Sequence, residues 1–113
     1  MSMTLINTLP EWCLSETPFS PSTRILLFFF LYSVNLQMRV SAGQLVARGN
    51  FPRQTFSRAV QQLVESGLVT RHARESKSNG HIYELRADKL VELGAPYVGE
   101  FFKGYKHGLE TKN

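Results

Sequence analysis

A sharp break between two helical segments, at Gly49-Asn50, constrains this sequence more than any other feature. Ahead of the break, Ser41 and Gln44 have the spacing of a capping box, in which each side chain bonds the other residue's backbone N–H at a helix start. Glycine and asparagine are the residues that most often end helices, and Pro52 is well placed as the first residue of the next helix. The sequence therefore predicts two helices joined by a tight turn.

The second of these helices is predicted to span Pro52–Ser66, with Gly67 as its stop. Apolar residues recur along it with the period of a helix that buries one face; they are Phe56, Ala59, Val60, Leu63 and Val64. The opposite face is polar and has one acid, Glu65, near its far end; its other members are Arg53, Gln54, Ser57, Arg58, Gln61 and Gln62. This helix is therefore expected to keep a cationic, amide-bearing side open to solvent.

A β-hairpin is predicted to follow this helix. Residues 68–73 and 81–85 have the composition of strands, and the turn between them includes Asn79-Gly80, the strongest dipeptide signal for a hairpin. With a further helix predicted from Pro21 to about Asn35, the order is helix, helix, turn, helix, strand, hairpin and strand. This order predicts a mainly α fold with a small β-hairpin wing, an α+β winged helix-turn-helix.

Positive charge is concentrated in the same part of the chain. The 113 residues have a formal net charge of +4, from 13 Lys and Arg against 9 Asp and Glu. Residues 39–77 contain seven of the cations and two of the acids, so the rest of the chain is slightly negative. A basic block within a folded domain indicates a phosphate-binding surface. Charge alone leaves open a second interpretation, in which the block is an ordinary solvated face.

The pattern as a whole favours a DNA-binding function. In a helix-turn-helix the second helix enters the major groove. Arg, Gln and Ser are suited to guanine edges, adenine edges and phosphates, and the start of a helix offers free N–H groups to a phosphate. The hairpin around Arg71–Tyr83 would be the wing, whose Arg74 and Lys77 are expected to reach the adjacent minor groove or phosphates.

The stretch from Gln54 to Arg71 resembles the recognition helix and first wing strand of MarR-like winged-helix regulators. The matching features are Thr55-x-Ser57-Arg58, a following leucine, and Gly67-Leu68-Val69 with a basic residue after it. The resemblance covers about residues 40–85. It implies a dimeric repressor or activator with this helix on double-stranded DNA. The predicted DNA-binding residues are Ser41, Arg53, Gln54, Thr55, Ser57, Arg58, Gln61, Arg71, Arg74 and Lys77.

A homodimer is also predicted from the helix that begins at Pro21, because residues 26–31 are apolar in every direction. A helix that is apolar all round is buried on more than one side, and a domain of this size has a limited interior. The alternative is a central helix wrapped entirely by its own chain. A second aromatic stripe lies towards the C-terminus. The predicted dimer contacts are Phe28, Phe29, Tyr97, Phe101, Phe102 and Tyr105.

These elements divide the chain into four segments. Residues 1–20 are predicted to be an irregular N-terminal arm with at most one short turn, and residues 21–86 the winged helix-turn-helix domain. Residues 87–107 would be a C-terminal helical dimerisation segment and 108–113 a disordered tail. Two other functions stay open for this fold. One is a plasmid or phage adaptor for partition or replication. The other is a winged-helix protein-interaction module that does not bind DNA.

Other classes of protein are not indicated. No phosphate loop, pair of carboxylates or nucleophile with a base can be assembled, so an enzyme is not expected. The three histidines lie far apart, and neither a metal site nor another cofactor is predicted. Cys13, the one cysteine, has no partner for an internal disulfide and no basic neighbour to activate it. No signal peptide is recognised, and the apolar run of residues 25–32 is far short of the roughly 20 needed to span a bilayer. A cytoplasmic location without membrane contact is expected, and a small-molecule effector stays open.

Overall fold

The computed structural model describes residues 3–35, 37–76 and 80–102, with side chains for all of these except residues 3–7 and 73–76. In chain order the elements are α1 (Met3–Ser15), α2 (Pro21–Ser33), β1 (Arg39–Ser41), α3 (Ala42–Gly49), α4 (Arg53–Glu65), β2 (Val69–Ser76), β3 (Gly80–Leu85), α5 (Ala87–Glu92) and α6 (Val98–Phe101). The predicted fold class is confirmed, because helices dominate and the strands form one small antiparallel sheet.

Helix α2 lies at the centre of the molecule and packs against α1, α3 and α4. Its Leu26, Leu27, Phe30 and Leu31 are almost completely buried. A row of aromatic rings in edge or tilted contact continues from α2 beneath the helix-turn-helix; its members are Phe29, Phe51, Phe56, Tyr83 and Phe30. The core therefore supports α3 and α4 on their inner sides.

The prediction of an irregular arm over residues 1–20 is wrong, since Met3–Ser15 forms helix α1. Pro10 lies inside this helix, where it removes one backbone hydrogen bond. Leu9 and Cys13, one helical turn apart, are both fully buried, and the hydroxyl of Thr17 donates to the Cys13 carbonyl oxygen at 2.9 Å. Burial against α2 and α6 thus outweighs the local signal of the proline, which is what misled the sequence-based prediction.

A third strand, β1, was not predicted. It is antiparallel to β3, with Val40 opposite Tyr83, and the sheet order is β1-β3-β2. Strands β2 and β3 form the predicted hairpin, with an irregularity of register between His72 and Ser76. A three-residue strand with a single buried apolar residue at its centre shows too little alternation to be recognised in a sequence.

The C-terminal part contributes two short helices that close the core. Leu90, Val98 and Phe102 are each at most 3% exposed. Tyr97 adopts a left-handed backbone conformation (φ 54°) and caps α6, whose first helical residue is Val98. The predicted continuation through residue 107 and the predicted tail of 108–113 lie outside the described residues. Among the helices that the structure describes, none combines the length and apolar character needed to cross a membrane.

Candidate nucleic-acid interface

The turn between α3 and α4 is fixed by backbone and ring contacts. Asn50 takes a left-handed conformation (φ 53°, ψ 44°), and its N–H donates to the Val46 carbonyl oxygen. The N–H of Phe51 donates to the same oxygen at 3.3 Å. The Phe51 ring lies 5.9 Å from the Phe29 ring and 6.3 Å from the Phe56 ring, measured between centroids. A side chain at Gly49 would overlap the Phe51 ring, so the turn needs a residue without a Cβ at this point.

Helix α4 has the amphipathic division that its sequence predicts. Phe56, Ala59, Val60 and Leu63 are buried. The exposed residues are Arg53, Gln54, Ser57, Arg58 and Gln61, and Thr55 is half-buried at the margin. The structure therefore brings all the predicted DNA-binding residues of this helix except Thr55 onto its solvent side.

Two cations on this side of α4 have no acidic partner within the residues that the structure describes. Within the described part of the chain, the guanidinium groups of Arg53 and Arg58 form neither a salt bridge nor a side-chain hydrogen bond. By contrast, Arg39 and Arg86 each lie within 3.4 Å of a carboxylate oxygen. The two α4 arginines therefore present a positive charge that a phosphate group can approach without breaking an ion pair.

The start of α4 is also open to an anion. Pro52 was predicted to be the first residue of this helix, but it is the N-cap residue, and Arg53 is the first helical residue. The Pro52 side chain makes no capping hydrogen bond. The backbone N–H groups of the first turn, from Arg53 to Thr55, have no partner within an α-helix. Together with the helix dipole they suit a phosphate oxygen, and the Arg53 side chain lies in this turn.

The wing is tied to α4 through Arg71. One terminal nitrogen of its guanidinium donates to Gln61 Oε1 at 3.2 Å, and its central carbon lies 5.9 Å from the centroid of the Tyr83 ring. Gln61 Nε2 in turn donates to Glu65 Oε2 at 3.1 Å. Two predicted DNA-binding residues, Gln61 and Arg71, are thus in direct contact. The spacing of Gln61 and Glu65 on one helix face was the only sequence signal for this arrangement.

The base of the wing is held by a charged cluster across the sheet. Glu84 Oε1 accepts from His72 Nε2 at 2.9 Å and lies 3.4 Å from a terminal nitrogen of Arg39. Glu84 belongs to β3, His72 to β2 and Arg39 to β1. For the rest of the predicted wing contacts, Lys77 and the side chain of Arg74 lie outside the described residues.

Ser41 is separated from the exposed set. It is 7% exposed, its Oγ accepts from the Gln44 N–H at 3.2 Å, and its own N–H donates to Gln44 Oε1 at 3.4 Å. The predicted capping box is therefore confirmed. The Ser41 hydroxyl, which was predicted to contact DNA, faces the start of α3 instead of solvent.

The residues predicted for a dimer divide into surface and interior groups. Phe102 is 1% exposed, and Phe29 is half-buried against Phe51. Phe28, Phe101 and Tyr97 are partly or largely exposed, whereas Tyr105 lies outside the described residues. Tyr32, which was not predicted, is 45% exposed and contacts Phe28 and Phe101, with centroids 5.2 and 5.6 Å away. Its position, one turn after Phe28 on α2, was the signal that the sequence offered.

Comparison with models of protein families gives a match to the MarR family over residues 19–78, which is more than half of the 113 residues. The match runs from just before α2 to two residues past β2 and so includes the whole helix-turn-helix. No curated protein and no solved structure matches the chain.

Proposed function

Because this chain belongs to the MarR family of DNA-binding transcription regulators, we propose that it acts as a homodimer on a specific double-stranded site. In this proposal α4 enters the major groove, and the wing formed by β2 and β3 contacts the adjacent minor groove or phosphates. The observation that carries the proposal is the exposed side of α4, where Arg53 and Arg58 have no acidic partner among the described residues. In this proposal the protein binds DNA in the cytoplasm and does not catalyse a reaction.

On α4, we assign contacts with DNA bases to Gln54 and Ser57, and contacts that position the helix on the DNA backbone to the two arginines. Gln54 and Ser57 are exposed near the start of the helix, the part that reaches base edges in this type of domain. A glutamine amide can pair with adenine through N6 and N7. Arg53 and Arg58 are assigned to phosphates, and the uncapped N–H groups after Pro52 add to the same contact.

The wing supplies contacts on the other side of α4. Arg71 is exposed and stands next to Gln61, so the two side chains continue the polar surface from the helix to the hairpin. Arg74 and Lys77 follow along the hairpin sequence. A positively charged wing next to a recognition helix gives both direct reading in the major groove and shape reading in the minor groove.

Dimerisation is assigned to the aromatic surface around Tyr32. Ile25, Tyr32 and Tyr97 are each more than 40% exposed, and Tyr32 joins Phe28 to Phe101 in continuous ring contact. Apolar side chains that are clustered, and not scattered singly, are what a partner surface requires. A two-fold dimer would place two copies of α4 on half-sites about one helical turn of DNA apart.

A salt titration on a selected DNA fragment tests the proposal. The purified protein would first select its site from genomic fragments, and the affinity for that duplex would then be measured from about 50 to 200 mM salt. We expect the logarithm of affinity to fall steeply with the logarithm of salt concentration, and a footprint over one short two-fold site. Absence of salt-sensitive binding to any duplex would instead support a protein-interaction module. A long footprint over repeats would support a partition adaptor.

A further inference from the structure

Helix α4 and strand β2 are connected by a row of three polar side chains, and the proposed function gives no role to its acidic member, Glu65. Glu65 Oε2 accepts from Gln61 Nε2 at 3.1 Å, and Gln61 Oε1 accepts from the Arg71 guanidinium at 3.2 Å. Tyr83, which is 3% exposed, supplies a fixed ring beneath Arg71 at 5.9 Å. Glu65, Gln61 and Arg71 are all exposed, so they lie on the surface at which DNA is proposed to bind.

The chemistry of its two neighbours permits only one orientation of the Gln61 amide. An ionised carboxylate accepts hydrogen bonds and does not donate them, so the amide nitrogen must face Glu65. A guanidinium only donates, so the carbonyl oxygen must face Arg71. Glu65 therefore determines which atom of Gln61 is presented to the arginine. Without this acceptor, the Gln61 amide is free to rotate away or to turn its nitrogen towards a group that also donates.

The amide lies between the two charges, and the Arg71 charge has no acidic partner in the described part of the chain. In the described part of the chain, Arg71 forms no salt bridge, so its nitrogens lie farther than 4.0 Å from the Glu65 oxygens. A carboxylate in direct contact with Arg71 would compete with phosphate for the same N–H donors. A neutral carbonyl oxygen orients the guanidinium by one hydrogen bond, and it leaves the remaining donors and the positive charge for another ligand.

We propose that Glu65 is a positioning residue for DNA binding. By holding the Gln61 amide, it fixes the Arg71 guanidinium between α4 and the wing, where it donates to a backbone phosphate of duplex DNA. This inference rests on the proposed function. It assigns a favourable role to an acidic side chain on a surface that approaches a polyanion. Simple Coulomb repulsion would give Glu65 the opposite role, and this difference makes the inference testable.

Two substitutions that remove the same charge separate the two roles. Glu65→Gln keeps a side-chain acceptor for Gln61 Nε2, whereas Glu65→Ala removes it. Because both variants lack the negative charge, its effect cancels in the ratio of their DNA affinities. We expect Glu65→Ala to bind the selected duplex about three- to fivefold more weakly than Glu65→Gln, the effect of about one ordinary hydrogen bond. In an Arg71→Ala background the two variants should bind equally. Glu92 on α5, which accepts from Lys89, provides the matched control, and its Gln and Ala variants should not differ.

The orientation of the Gln61 amide can also be tested in the protein without DNA, from the NMR chemical shifts of its side-chain NH₂ group. These should keep their parental values in Glu65→Gln and move towards those of a solvent-exposed glutamine in Glu65→Ala. Equal affinities of the two Glu65 variants, a difference that persists without Arg71, or an unchanged amide signal in Glu65→Ala would each overturn the inference while the parent still binds DNA. A parent that binds no duplex would overturn the proposed function and this inference together.

Discussion

The ring of Phe51 lies edge-on to the ring of Phe29, with 5.9 Å between centroids and an interplanar angle of 87°. Phe51 belongs to the turn that joins α3 to α4, and Phe29 belongs to the central helix α2. Through this contact the orientation of the turn, and with it the start of the proposed recognition helix, depends on the packing of the core. Changes near the turn should therefore be measurable as changes in stability.

Gly49→Ala should destabilise the protein. The added Cβ would overlap the Phe51 ring, which cannot move freely because it lies between Phe29 and Phe56. Overpacking of this kind lowers the free energy of unfolding by about 1–3 kcal/mol, which urea denaturation monitored by circular dichroism can detect. Gly99→Ala is the control, because nothing lies within 4 Å of a Cβ at that helical position. Equal stability of Gly49→Ala and the parent would show that Phe51 can move aside.

Arg58→Ala should weaken binding to all DNA sequences by a similar factor. If the guanidinium holds a phosphate, its loss also lowers the slope of log affinity against log salt by about one. Binding titrations on the selected site and on an unrelated duplex at several salt concentrations measure both effects. Arg86→Ala is a suitable control, since Arg86 already donates two hydrogen bonds to Asp88, at 3.2 and 3.1 Å. A parental slope for Arg58→Ala would remove this residue from the interface.

Gln54→Ala should change sequence preference more than overall affinity. A bidentate amide-to-adenine contact discriminates against a wrong base by about 1–3 kcal/mol, and that discrimination would be lost at one position of each half-site. Affinities for a set of single-base variants of the selected site give the measurement. Non-specific affinity should stay near that of the parent, which distinguishes this residue from Arg58. Unaltered preference at every position would exclude Gln54 from base contact.

Tyr32→Glu should dissociate the proposed homodimer without unfolding the subunit. Tyr32 is 45% exposed in the single chain, so the carboxylate stays hydrated there, but it would be desolvated between two subunits. We expect a dimer dissociation constant at least tenfold higher, measured by sedimentation equilibrium. Val91→Glu on α5 introduces the same charge at a position that is 55% exposed and outside the ring cluster. If only the Val91 variant dissociates, the dimer is formed by a different surface.

The Cys13 thiol should be unreactive in the native protein. Burial raises its pKa to about 12, so at pH 8 the thiolate fraction is roughly three orders of magnitude below that of an exposed cysteine. Labelling with a thiol reagent should be slow in buffer and fast in denaturant. Because Cys13 is the one cysteine of the chain, each molecule can take up at most one label. Native labelling at the denatured rate would mean that α1 detaches readily from the core.

The sequence was sufficient to predict the elements whose signals are local. Helix α4 has an apolar period over its whole length, and α3 begins with a capping box that the structure contains. Helix α1 was missed because Pro10 dominates its local signal, whereas the burial of Leu9 depends on α2 and α6. Strand β1 exists only through its pairing with β3, and no local pattern encodes a partner so distant in sequence.

In the candidate site, too, features with a local sequence signal were predicted and features that depend on tertiary contacts were not. The exposed side of α4 followed from helical periodicity, since a residue's direction on a helix is set by its position. The contact between Gln61 and Arg71 joins a helix to a strand and needed the tertiary structure. On α2, six consecutive apolar residues gave no indication that Phe29 turns towards Phe51 while Phe28 stays at the surface, next to Tyr32.

The position of β3 in the middle of the sheet sets the order in which this domain can fold. Strands β1 and β2 both bond to β3 and not to each other, and the helix-turn-helix lies between them along the chain. Arg39 and its partner Glu84 are 45 residues apart, so β1 closes a long loop when it pairs. A nascent chain must therefore extend past residue 85 before either outer strand can pair fully. Formation of these non-local contacts, and not of the helices, is expected to limit the folding rate.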